Sequence, residues 1–557
     1  MQTPAPRKIN DIAEPLGLNP QQVEPMGWFK GKLALGLEKT LRQNPIGKYI
    51  NVTAINPTPL GEGKTVVAIG LAMALSQAGH RSIVTLREPS LAPVFGIKGG
   101  GAGGGRATLL PSDDINLHFT GDLHAVSAAT NLLAAMIDNH CKRGQEPRLD
   151  PASVTWQRAV DMNDKGLSHI VTGLGNLRQA PLRETGFSLT AASEVMAILA
   201  LATSLDDLRQ RIGRIFVGTT FDGAPVLAED LGCAGAMTAL LRDAIRPNLV
   251  QTCENTPAFV HTGPFGNIAH GNSSIIADRL AVRLADYVVT ESGFGSDCGA
   301  EKFYNIKCRT CGMVPSAEVL VCTVRALKLH SGRFRVRPGN PLPPELLQED
   351  LNALREGAEN LRAHVEILKQ FGMPVVIAVN RFPTDTSREI EEVRRLALEF
   401  QADSAAECNV FEEGGAGGRE LADAVREVSS QPNQFSFLYP DEMSLVEKLE
   451  TVAIRIYGAD GIDLEPKARK RLETFSELGY DTLPVCIAKT QYSLSHDPSL
   501  VGRPRGFRFP IREVHLAAGA GFVYALSGDI QTMPGLPAEP AAKRIDVNSD
   551  GTITGLN

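Results

Sequence analysis

Thr58-Pro-Leu-Gly-Glu-Gly-Lys-Thr65 sits between a run that reads as a buried strand, Tyr49 to Ile55, and one that reads as a helix, Thr65 to Ala78. A phosphate-binding loop (P-loop) needs that context, because the turn's backbone N–H groups and the helix N-terminus together surround phosphate oxygens. Gly61 and Gly63 permit a tight approach of the backbone. Lys64 would reach the β- and γ-phosphates of a nucleotide, and the Thr65 hydroxyl would ligate Mg²⁺. Thr58, Pro59, Leu60, Gly61, Glu62, Gly63, Lys64 and Thr65 are therefore the expected ATP-binding residues. Thr58 stands where the motif usually has its first glycine. The competing reading is a glycine-containing turn without a ligand.

Strand-like and helix-like runs alternate over most of the chain, which predicts an α/β fold on mostly parallel sheet. Ser82 to Leu86 is the next strand, and Arg87-Glu-Pro-Ser90 follows at its carboxyl end, where ligands collect in a doubly wound sheet. Arg87 should point into the crevice that holds Lys64. Its planar fork suits a carboxylate or an acyl phosphate, and Glu88 could supply the carboxylate a metal needs. A structural salt bridge is the alternative for Arg87. Asp122 to His140 has helical spacing, with Asp122 placed to cap its start. His118, Asp122 and His124 are candidates for proton transfer or metal support, or simply a cap and two ordinary histidines. Gly99 to Gly105, six of seven residues glycine, reads as a cover over the phosphates or as a flexible loop.

Further strands are predicted at Ile215 to Gly218, Tyr287 to Glu291 and Val319 to Thr323. After a Pro-, Gly- and Arg-rich connection, Ser331 to Pro344, come a helix from Leu346 to Phe371, a strand from Pro374 to Val379 and a helix from Thr386. The expected organisation is a P-loop nucleotide-binding domain over 1–335, a second α/β domain over 336–430 and a smaller C-terminal domain over 431–557.

The bulk properties exclude several classes. At 557 residues the chain is long enough for several domains. A net charge of −7 and a pI near 6.0 argue against nucleic acid as the main partner. No apolar run reaches bilayer length; the longest, Val195 to Ala202, reads as a buried helix. The start shows no export-signal organisation, so a cytoplasmic protein with nine reduced cysteines is expected.

Several long runs resemble formate–tetrahydrofolate ligase. They include Thr58 to Thr65, Arg87-Glu-Pro-Ser-Leu-Ala-Pro-Val-Phe-Gly-Ile-Lys-Gly-Gly100, Asp114-Ile-Asn-Leu-His-Phe-Thr-Gly-Asp122 and Glu254-Asn-Thr-Pro-Ala258. Gly263 to Gly271, Gly299 to Phe303, Cys486 to Ser495 and Met533 to Pro537 extend the resemblance over nearly the whole chain. It implies that formate, Mg-ATP and tetrahydrofolate give 10-formyltetrahydrofolate, ADP and phosphate through formyl phosphate. Formate acylates poorly until its hydroxide leaving group is exchanged for phosphate. On matching positions Lys64 would hold the transferring phosphoryl group and Arg87 the formyl phosphate, with Glu88 and Asp122 beside them as catalytic candidates. Phe382, in Asn380-Arg-Phe-Pro-Thr-Asp385, and Phe411, where the family has tryptophan, would stack the pterin. The smaller ring predicts weaker folate binding. The resemblance also implies a homotetramer stimulated by K⁺ or NH₄⁺. Competing functions are another acyl-phosphate carboxylate–amine ligase and a P-loop regulatory ATPase.

Other signals are weaker. Asp546-Val-Asn-Ser-Asp-Gly551 imitates the start of a calcium loop, but its twelfth position is the terminal Asn557, so a polar turn is the better reading. Cys308 and Cys311 have metal-pair spacing without a second pair. Arg333, Arg335 and Arg337 alternate with apolar residues and could form a basic strand face toward a polyglutamate tail, or a solvated charged face.

Overall fold

The computed structural model describes residues 5–96, 100–175, 181–336, 341–528, 530 and 532–556. Its centre is a twelve-stranded sheet. Seven of its strands carry the argument: β1 (Lys48–Ala54), β2 (Ser82–Leu86), β3 (Pro257–Val260), β4 (Tyr287–Glu291), β5 (Ala317–Cys322), β6 (Val375–Asn380) and β7 (Ser404–Cys408). They lie side by side in the order β3-β2-β4-β1-β5-β6-β7, every neighbouring pair parallel. Asn248–Thr252, Gly31–Leu33 and Val23–Pro25 continue the sheet antiparallel beyond β3.

These strands are buried on both faces, which is why they read as near-continuous apolar runs. Along β1, Ile50, Val52 and Ala54 pack with helix α1 (Lys64–Gln77), while Tyr49 enters the core on the other face. Between them, Asn51 donates to Glu318 Oε2 at 2.8 Å and accepts from the Ser292 hydroxyl at 2.8 Å. Those bonds tie β1 to the chain beside it on either side. Helix α1 is apolar all round because it is covered all round. A Cβ at Gly70 would lie 2.3 Å from the Cβ of Val410, so only glycine lets the 410–418 segment close over it.

The predicted boundary at 335/336 falls between β5 and β6, which are hydrogen-bonded neighbours in the one sheet. Beyond residue 431 a three-stranded sheet of Val485–Ala488, Phe522–Leu526 and Glu513–Ala517 forms, flanked by the helix Pro466–Glu477. No described helix is long and apolar enough to cross a membrane.

Some expectations are corrected. Helix α2 (Asp122–Arg143) begins as predicted, but Asp122 does not cap it. The capping position is Gly121 at φ 90°, and the Asp122 carboxylate is taken by Lys32. The strand near 215–218 forms (Phe216–Thr219), yet it pairs only with Pro225–Leu227 in a separate hairpin. Residues 333–336 form no strand; Arg333 pairs with Glu356 instead, and Arg337 lies outside the described residues. Asp546–Val547 pairs antiparallel with Ile553–Thr554, and Asp550 accepts the Thr552 N–H within that polar hairpin; Asn557 is outside the described residues.

Candidate active site

Five parallel strands send their carboxyl ends to one place. After β1 comes the Thr58–Thr65 turn, after β2 the pair Arg87–Glu88; Glu291 ends β4, Thr323 follows β5 and Asn380 ends β6. β1 is the first of these in sequence but sits between β4 and β5, so its end opens on the crevice where the strand order reverses. A cavity of about 630 Å³ fills this crevice. The whole turn, Arg87, Glu88, Glu291 and Phe294 line it.

The turn is held from within. Gly61 and Gly63 have φ of 74° and 70°, the left-handed region where a side chain is strained. Thr58 is not in that region, which explains why this position needs no glycine. Glu62 staples the loop. Its Oε1 accepts from the Thr58 N–H at 2.7 Å and its Oε2 from the Thr323 hydroxyl at 2.9 Å. Burial raises the Glu62 carboxyl above its ordinary value, and those two bonds oppose the rise. Asn380 donates to the Glu62 carbonyl at 2.9 Å, and its amide leaves no room for a Cβ at Gly63.

Helix α1 starts at Lys64, so the helix N-terminus faces the cavity. Lys64 Nζ donates to the Phe294 carbonyl at 2.8 Å. Phe294 itself has φ 61°, an uncommon conformation for a non-glycine residue and one that clusters at functional sites. The Thr65 hydroxyl donates to Glu291 Oε2 at 2.5 Å, and Arg87 Nη2 lies 3.7 Å from the other oxygen of Glu291. Arg87 also donates to the Pro264 carbonyl at 3.2 Å. Burial draws the guanidinium pKa down and Glu291 opposes it.

Glu88 lines the same cavity but belongs to a different cluster. Lys32 Nζ lies 2.8 Å from Asp122, which also accepts from Asn248 at 2.9 Å. Burial first, then the charge of Asp122, push the Glu88 carboxyl well above the ordinary range. Burial raises Asp122 as well, and its bonds to Lys32 and Asn248 oppose that. Oε2 of Glu88 is buried with no hydrogen-bond partner among the described residues. Glu291 is the carboxylate that meets the Thr65 hydroxyl. Sequence reasoning missed Glu291, although it ends a correctly predicted strand. His118 and His124 are both exposed.

The two aromatic candidates stand outside this cavity, which neither lines. The Arg325 guanidinium lies 3.5 Å from the ring centroid of Phe382 and reaches the Gly61 carbonyl at 3.4 Å. One face of Phe382 is therefore covered, and the covering group touches the turn. Phe411, on the short helix Val410–Glu413, is 52% exposed. Its carbonyl accepts from the Arg106 N–H at 2.8 Å, and its ring lies beside Gly104 and Gly105. Gly100, Gly101 and Gly103 line the cavity, so the described part of the glycine run spans from the turn to Phe411; Gly99 lies outside the described residues. Gln491 and Tyr492 close the cavity from the far end of the chain, in a segment where sequence reasoning had named no site residue.

The sequence is similar to known proteins over its full length. The formate–tetrahydrofolate ligase profile matches residues 1–557. A protein of that name from Saccharopolyspora erythraea is 54% identical over 551 residues, 99% of this chain and 97% of the relative. One from Roseiflexus sp. (strain RS-1) is 55% identical over 99% of this chain and 98% of the relative. One from Desulforamulus reducens is 50% identical over 98% and 97%. The chain belongs to the formate–tetrahydrofolate ligase family. Membership makes it an ATP-dependent ligase joining formate to tetrahydrofolate. The runs that carry the formate–tetrahydrofolate ligase resemblance meet in one crevice: Thr58–Thr65, Arg87, Gly263 and Gln491 all line one cavity.

Proposed function

We propose that formylation runs through formyl phosphate made in the crevice at the end of β1. The turn 58–65 acts as the P-loop, its N–H groups and the α1 N-terminus binding the phosphates of ATP. A formate oxygen attacks the γ-phosphorus, ADP leaves, and Lys64 offsets the charge on the transferring group. Arg87 grips the formyl phosphate with its fork. The N10 amine of tetrahydrofolate then attacks the formyl carbon, the C–O bond to phosphate breaks, and N10 gives up its proton. Glu88 lines the cavity beside Arg87, and the charge of Asp122, paired with Lys32, acts on it.

The hydroxyl of Thr65 and the carboxylate of Glu291 are a hard oxygen pair suited to Mg²⁺, which enters with ATP and neutralises phosphate charge. Phe382 and Phe411, both within 336–430, stack the pterin ring, so that segment supplies the folate half while 1–335 supplies ATP and formate, and 431–557 closes the cavity through Gln491 and Tyr492. The same reading makes the protein a cytoplasmic homotetramer stimulated by K⁺ or NH₄⁺, which sizing chromatography and salt substitution in the assay test directly.

The observation that carries the proposal is the convergence of Lys64, Arg87 and Glu291 on one cavity from three different strand ends. Incubation with Mg-ATP, adding formate and tetrahydrofolate singly and together, should give ADP and formylated folate only with all three. Hydroxylamine should trap a formyl group from ATP and formate without folate. ADP release indifferent to formate, or no trapped formyl group, would overturn the intermediate.

A further inference from the structure

A second cavity, of about 470 Å³, shares no lining residue with the first. It lies between the helix Pro466–Glu477, the strands Glu513–Ala517 and Phe522–Leu526, and the helix Glu194–Leu201. Its size is that of pockets that hold one small organic molecule. The walls are aromatic: Trp156, Phe475, Phe522 and Tyr524 all line it. Phe522 and Tyr524 alternate along one strand and so present the same face. His515 is the cross-strand partner of Tyr524, and the two rings stack with 4.8 Å between centroids and 10° between planes.

Hydroxyl and amide side chains such as Ser153, Gln157 and Thr474 share the lining, and Arg471 and Glu194 are its two chargeable residues besides His515. Arg471 gives Nη1 to the Val514 carbonyl at 3.0 Å and lies 3.4 Å from Nδ1 of His515, whose other ring nitrogen faces Glu513, but Arg471 itself has no carboxylate at ion-pair distance among the described residues. An arginine lining an aromatic cavity without an anionic partner is unusual, because guanidinium charge is ordinarily matched when partly buried. On the opposite side, Glu194 accepts the Gly519 and Ala520 N–H groups at 2.8 and 3.3 Å through Oε1, which leaves Oε2 for the cavity. Burial pushes this carboxyl up to about 8, so it is a neutral donor at neutral pH.

We propose that this cavity binds a small planar aromatic carboxylate, with the carboxylate on Arg471 and the ring against the Tyr524–His515 stack. One arginine matches one negative charge, and a phosphate dianion would carry a second charge with no cation to meet it. The flat apolar walls select a ring over an aliphatic acid. Neither the crevice chemistry nor the pterin-stacking rings take part, so this inference does not depend on the proposed function.

The chain's two tryptophans make the test direct. Trp28 is 69% exposed at the surface, whereas Trp156 lines the cavity. Trp28→Phe leaves Trp156 as the single reporter. Benzoate should change its emission saturably, and the uncharged isostere benzamide should bind roughly tenfold more weakly or worse, the size expected for a charged hydrogen bond. Arg471→Ala should remove the benzoate preference, and Arg471→Lys should restore part of it, with far-UV circular dichroism unchanged in both. Calorimetry on the same samples covers a spectroscopically silent complex. Equal affinity for the two probes, an unchanged titration in Arg471→Ala, or neither heat nor emission change with benzoate would each overturn the proposal.

Discussion

The two halves of the proposed active site are built differently. The phosphate half is over-determined: Glu62 closes the turn on itself, Asn380 holds it from a neighbouring strand end, and Lys64 and Thr65 already have partners in Phe294 and Glu291. The pterin half is open. Phe382 is covered on one face by Arg325, and Phe411 stands half in solvent. The difference follows from the chemistry each half would perform. Charge development at phosphorus is stabilised by dipoles that do not reorganise, so that half gains from rigidity. A flat ring needs only two faces and gains more from easy entry.

The comparison can be broken most severely at Lys64. Lys64→Ala should cost about 4 kcal/mol in the phosphoryl-transfer barrier, on the order of 1000-fold in kcat. The KM for tetrahydrofolate should stay within experimental error; a parallel rise in that KM would show that the two halves are not separable.

Acid should act behind the phosphate turn, where His364 holds Asn56. His364 is buried, accepts the Asn56 N–H at 2.9 Å and shares a proton with the Ser296 hydroxyl at 2.7 Å. Burial lowers its pKa to about 4 from an ordinary value near 6.5, with the Asp297 charge opposing. As pH falls below about 6.5 the unfolded chain takes up a proton that the folded chain refuses until about 4, so stability present above 6.5 is lost across that window, up to ~3 kcal/mol. Melting temperature against pH should show this fall, and His364→Gln should make it shallower, the buried His261, His270 and His330 contributing the rest. An identical slope in the variant would assign the acid sensitivity elsewhere.

Arg87→Lys keeps the charge but loses the fork. A loss of about 2 kcal/mol, roughly 30-fold in formate-dependent turnover, is expected. Hydroxylamine trapping should fall with it. A lysine variant of full activity would mean that Arg87 serves only its contact with Glu291.

The smallest effects belong to the open half. Phe411→Ala should raise the KM for tetrahydrofolate by about fivefold, near 1 kcal/mol, with ADP-forming steps untouched. Phe411→Trp should move it the other way by less. No change in either variant would remove Phe411 from the folate site.

How much of this could be read beforehand depended on distance along the chain. The runs 49–55, 65–78, 82–86 and 287–291 are within a residue of β1, α1, β2 and β4, because buried parallel strands and a covered helix leave unmistakable apolar runs. Their order was not legible. β4 inserts between β2 and β1, and only that insertion brings Glu291 to Thr65, 226 residues away. Glu88 was read as a carboxylate that could serve the metal because it follows a strand end; it lines the cavity, while Glu291 is the carboxylate bonded to Thr65. Asp122 looked like a helix cap because aspartate usually is one there, and a buried lysine from residue 32 outbids the helix for its carboxylate. Phe382 and Phe411 carry no pattern that marks them from core phenylalanines, and only the family resemblance singled them out.

The central place of β1 has a consequence for how the protein is made. It is the first strand of the parallel set to leave the ribosome, yet its neighbours β4 and β5 begin at residues 287 and 317. At ordinary translation speeds that gap is roughly ten to fifty seconds. For that interval β1 has two unpaired edges and the apolar helix α1 has little to cover it, the condition in which nascent chains associate wrongly. A chain stopped before β4 should therefore aggregate rather than persist as a smaller nucleotide-binding fragment.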